Sequence, residues 1–196
     1  MAVKSASCRK SPTMPEAMGR SCGDCTVCCT VPAIDTHEIQ KVTGAACCHL
    51  GQGGCAIYDA RPRACRAFFC AWIEGVMPEG WRPGDCGVLA QAVEVAGRQG
   101  MSLMLIADAM RTVRQDWFVD YVQQGVLGGV PLVLALPGPQ GTASAKMALN
   151  TPDMQRAALG TAEQVRQQLR AAVKTLMGSR FDALPILNTG NDVSLR

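Results

Sequence analysis

Cysteine is absent from every position after Cys86, histidine occurs only twice, and neither a long apolar run nor a basic run is present anywhere. Each absence narrows the field. The N-terminal stretch has no apolar segment of the length a secretory leader needs. The longest uncharged stretch, residues 125–138, is short and broken by Gly and Pro, so no membrane span is expected. A cytoplasmic location without a membrane partner follows as the expectation. No basic run exceeds Arg9-Lys10, and the net charge of +3 is mild, which argues against a nucleic-acid partner. No glycine-rich cofactor loop follows a strand pattern. With only His37 and His49, both among the cysteines, no nucleophile–base pair can be assembled, so no catalytic residue is assigned. Asp108, Asp116 and Asp120 form the only acidic grouping of the second half. Asp116 and Asp120, four apart, read as one solvated helix face.

Eleven cysteines are packed between Cys8 and Cys86. Disulfides and metals are the two chemistries that consume so many. Disulfides need an oxidising compartment, and an odd count with adjacent pairs at Cys28-Cys29 and Cys47-Cys48 fits a disulfide framework poorly. Reduced, metal-binding thiolates are therefore expected.

The chain divides by pattern. Residues 1–20 are polar and aperiodic and read as a disordered segment. Residues 21–86 form the cysteine-rich module, with one short helix expected over Thr36–Val42. Residues 87–180 read as a small α+β unit. Strands are expected over Gly87–Ala96 and Met101–Ala107 as a hairpin, with Leu89, Val93 and Val95 on one face. Met110, Val113, Trp117, Tyr121 and Val122 recur at helical spacing, with Gly125 as the stop. Val130–Leu136 suits a buried strand, and Pro137–Pro152 a loop. Asp153–Met177 reads as a long helix that Thr151 caps, interrupted at Gly160. Residues 181–196 read as a tail. The fold expected is α+β: a metal-stabilised cysteine-rich module packed on a small antiparallel sheet with helices.

The sharpest motif is Cys22-Gly-Asp-Cys25-Thr-Val-Cys28-Cys29. Cysteines two residues apart can place both sulfurs on one metal, and a third at the same interval gives the C-x2-C-x2-C run used by iron–sulfur clusters. Further on come Cys47-Cys48-His49-Leu50 and the stretch from Cys55 through Tyr58, Arg61-Pro62, Cys65-Arg66 and Phe68 to Cys70. Together these elements resemble the CxxCxxCC cysteine-cluster (YkgJ-like) family, described as a zinc- or iron-chelating domain, over about residues 20–75. The resemblance implies eight metal-site cysteines: Cys22, Cys25, Cys28, Cys29, Cys47, Cys55, Cys65 and Cys70. Cys48 departs from the pattern and leaves the ligand of its pair open, while Cys8 and Cys86 match nothing in it.

The function expected is metal binding, of zinc or of iron as an iron–sulfur cluster, through about eight thiolates. Eight sulfurs suffice for two four-coordinate zinc sites or one four-iron cluster with spare ligands. Two alternatives stand beside this. One is a metal- or cluster-dependent modifying enzyme, since a domain of this kind also occurs in flagellin lysine methylases. The other is a module in which zinc holds a surface for a protein or nucleic-acid partner. Arg61, Arg63 and Arg66 are read as compensating thiolate charge. Tyr58, Phe68, Phe69 and Trp72 are read as the apolar shell of the site.

Overall fold

A computed structural model describes residues 19–184. Cys8, most of the expected disordered segment and residues 185–196 of the expected tail lie outside the described residues. The chain folds as α+β, and its cysteine-rich part has very little regular structure. A four-residue helix α1 (Val27–Thr30) is followed by two hairpins of two-residue strands. These are β1 (Ile34–Asp35) with β2 (Gln40–Lys41), and β3 (Leu50–Gly51) with β4 (Gly54–Cys55). A single 3-10 turn at Tyr58–Ala60 leads into α2 (Arg63–Ala67), and a second at Glu79–Trp81 into α3 (Pro83–Cys86).

The helix expected over Thr36–Val42 is instead the first hairpin. Thr36 is the reason: its amide donates to the Ile39 carbonyl (3.0 Å), and its hydroxyl accepts from the Ile39 amide (3.2 Å). A Thr side chain that bonds locally in this way closes a turn and competes with helix.

The second half carries one four-stranded sheet, β5 (Val88–Val95), β6 (Arg98–Leu105), β7 (Leu132–Leu136) and β8 (Ala145–Ala148), in sequential spatial order. β5–β6 and β7–β8 are antiparallel, but β6–β7 is parallel, so the sheet is mixed rather than antiparallel. A parallel neighbour needs a crossover. Here it is α4 (Ala109–Thr112) and α5 (Asp116–Leu127). The expected hairpin forms with a two-residue loop, Ala96-Gly97, both at positive φ (50° and 74°), as a tight turn between twisted strands requires.

Three further expectations change. Gly125 lies inside α5, which ends at Gly128. A Cβ at 125 would stand 2.9 Å from the Leu132 side chain, so this glycine lets the helix pack closely on β7. The expected loop after β7 contains edge strand β8. The long C-terminal helix is two, α6 (Pro152–Ala158) and α7 (Ala162–Met177), broken at Gly160. Thr151 does cap the first, accepting from the Met154 amide, and Thr161 with Gln164 forms a capping box on the second. Residues 181–184 dock rather than trail: the Ala143 amide donates to the Asp182 carbonyl (2.8 Å). Arg20 is also placed, donating to the Trp72 and Met77 carbonyls (2.8 Å each).

Alternation along the strands sorts side chains onto two faces. Val88, Ala90, Leu103, Leu105, Leu132 and Leu134 join the core beneath α5, α6 and α7, with Phe118, Val122, Leu169 and Val173. Leu89, Met104 and Ala135 point the other way and are covered by the cysteine-rich segment, through Val27, Cys70 and Ile73. The order of layers is helices, sheet, cysteine layer. Among the described residues no helix is long and apolar enough to cross a membrane.

Candidate metal centre

Beneath the cysteine layer lies a cavity of about 450 Å³. Its wall holds Cys22, Cys25, Cys28, Cys29, Cys47, Cys55, Cys65 and Cys70, and none of the other described cysteines. Cys48 is exposed and off the cavity, while its neighbour Cys47 is buried and on it. Cys86 sits apart, its thiol bonded to the backbone of Val88. All ten described cysteines are free thiols.

Each thiol is brought to the cavity by a local device. The Cys25 amide donates to the Cys22 carbonyl (2.9 Å), closing the first turn of the motif. α1 carries Cys28 and Cys29 on successive positions. The Cys47 amide donates to the Cys29 carbonyl (2.8 Å), and Cys55 pairs with Leu50 across the second hairpin. Pro62 starts α2, and its carbonyl accepts from the Cys65 amide (3.0 Å). Gly54, at φ 117°, lies so near the first turn that a Cβ there would come within 2.8 Å of the Gly23 carbonyl oxygen. Only glycine permits that approach.

The thiols feel one another. Burial, then repulsion from Cys70, Cys22, Cys25 and Cys29, pushes the Cys28 thiol far above the ordinary thiol range. Burial, then Cys47, Cys55, Cys65 and Cys22, pushes Cys29 up to about 11. Cys65 is raised by burial and then by Cys47 and Cys55, and Cys70 by burial above all, with Cys22 and Cys25 adding to it. Buried thiols grouped in this way hold their protons until something more attractive displaces them.

Cations stand round the group. Lys41 is buried, its Nζ donating to the carbonyls of Thr30 (3.2 Å), Pro32 (2.5 Å) and Val42 (3.3 Å). Burial lowers its pKa, and the nearby Cys47, Cys29 and Cys28 oppose that shift. Arg82 donates to the Cys22 carbonyl (2.7 Å) and pairs with Asp24, tying the first turn of the motif to α3. Arg61 lies over the Tyr58 ring at 3.7 Å and opposes the rise at Cys65. Of the three arginines, Arg61 is on the cavity wall and Arg63 and Arg66 are not.

Sequence reasoning missed Lys41 and Arg82. Lys41 fell within the stretch expected as a helix and was assigned no role, and Arg82 reaches a carbonyl 60 residues away, which no spacing reveals. Tyr58, Phe68 and Trp72 line the cavity, and Phe69 packs on the same apolar cluster. His49 also lines it, and its amide donates to the Cys47 sulfur (3.4 Å). His37 is exposed. The acidic grouping is structural: Asp108 caps α4 through the Arg111 amide (3.0 Å), Asp116 pairs with Arg166 (2.7 Å), and Asp120 is exposed.

Among the described residues no three His, Cys, Asp or Glu side chains are grouped as ligands of a single ion. The donor set nonetheless suits a thiophilic metal, because soft sulfur ligands select zinc and iron–sulfur clusters over hard cations. The cavity lies among the sulfurs that would hold it. No family model, characterised protein or solved structure matched the chain.

Proposed function

We propose that this chain is a metal-binding protein that chelates zinc or iron, the iron as an iron–sulfur cluster, through Cys22, Cys25, Cys28, Cys29, Cys47, Cys55, Cys65 and Cys70. The observation that carries the reading is the cavity wall. The eight cysteines named by the motif line it, and the two described cysteines outside the motif do not. The resemblance to the CxxCxxCC family, resting on the motif residues themselves, points to the same chemistry. The free state of the described thiols suits a reducing compartment, and we place the protein in the cytoplasm.

The reading also accounts for a layer with almost no regular structure. Two-residue strands and a four-residue helix cannot hold themselves together. Metal ligation supplies folding free energy of roughly 10 kcal/mol or more to such modules. Cys25→Ser and Cys28→Ser variants test the assignment. Each is expected to lose bound metal and to lose amide protection across residues 21–86, while α5 and α7 keep theirs. Full metal occupancy in both variants would show that the site is misassigned.

A further inference from the structure

Building on the metal-binding reading, we propose that the eight thiols form two separate four-sulfur centres. The inner centre is Cys22, Cys25, Cys28 and Cys70 against the sheet, and the outer is Cys29, Cys47, Cys55 and Cys65 in the hairpin layer. The division begins at Cys28-Cys29. Successive residues of a helix point about 100° apart, so one short helix can serve two sites.

Packing separates the sets. Cys22, Cys25, Cys28 and Cys70 all belong to the apolar cluster of Leu89, Met104 and Ala135 on the sheet face, and none of the other four does. Backbone pairing gathers much of the second set. The Cys47 amide bonds to the Cys29 carbonyl, the Leu50 amide to the Cys47 carbonyl (3.0 Å), and Leu50 pairs with Cys55. Cys65 enters from α2 on the same cavity.

Arg82 bonds the Cys22 carbonyl in the inner set (2.7 Å), whereas Lys41 lies near Cys47 and Cys29 of the outer set and also near Cys28 of the inner one.

Each centre forms by four thiols losing their protons to solvent as four metal–sulfur bonds form, with no change in the oxidation state of sulfur. Four thiolates close the coordination of a zinc ion or anchor one cluster. The test is metal counting by native mass spectrometry and elemental analysis on the full chain purified without oxygen, alongside Cys70→Ser, Cys65→Ser and the double variant. The wild type is expected to carry two centres, each single variant one, and the double variant none. Complete metal loss in a single variant, or one centre in the wild type, overturns the division while leaving the metal-binding reading intact. A wild type that takes up no metal overturns both. Should the variants fail to fold, cobalt(II) titration of the metal-free wild type decides between them. Saturation at two equivalents supports the division, and at one contradicts it.

Discussion

A thiol surrounded by other thiols in a poorly solvated cavity is harder to ionise than one in water. Cys29 shows the consequence, with its pKa raised to about 11 by burial first and by Cys47 next. Metal ligation must displace the protons these thiols hold, so metal affinity should rise with pH up to about that value. Titration against a competing chelator at several pH values checks this, and an affinity independent of pH would contradict it. At this scale the sequence was highly informative. Spacing singled out the run from Cys22 to Cys29, and the resemblance implied the full set of eight that lines the cavity. They left Cys47 and Cys48 undecided, because adjacent residues differ only in the direction they face. Only the fold turns Cys48 outward.

At the scale of elements, the motif's first turn is held by a residue far along the chain. Arg82 bonds the Cys22 carbonyl and pairs with Asp24. Asp24 is exposed, so the ion pair adds little, and the bond to the carbonyl carries most of the effect. Arg82→Ala should cost about 1–2 kcal/mol. It should also weaken metal retention against a competing chelator by about tenfold or more, as loss of a group supporting ligands does. An unchanged affinity would show that the turn holds its shape alone. The hairpin, the strand after β7 and the cap at Thr151 show where local reading succeeds and fails. The β5–β6 hairpin and the helix cap were legible because glycine and threonine act within a few residues, but the turn is Ala96-Gly97, and residues 98–100, expected as part of it, belong to β6. β8 was hidden in a Gly/Pro/Ser/Thr stretch. Its Ala145 and Met147 are only half-buried at the sheet edge, so alternation was faint. The Thr36 turn was misread because one threonine hydroxyl outweighed a weak helical pattern.

For the whole molecule, the sheet separates two kinds of stability. One face is buried under α5, α6 and α7 around Phe118, Leu134 and Leu169, each fully enclosed, and contains none of the eight cavity cysteines. The other supports a layer whose own core is small and whose cavity is walled by thiols. Cysteine stops at Cys86 and periodic hydrophobicity begins just beyond it, yet Ala71 and Met77 of the cysteine-rich segment also reach the helix-side core. The parallel pairing of β6 with β7 was not legible, because pairing partners are set by the crossover and by packing of the helix layer. The most direct test of the central claim is an absorption spectrum, with metal and sulfide analysis, of protein purified without oxygen. The account expects either a brown sample with matched iron and sulfide, or a colourless one carrying bound zinc. A colourless, metal-free protein that is nonetheless fully folded through residues 21–86 would contradict it.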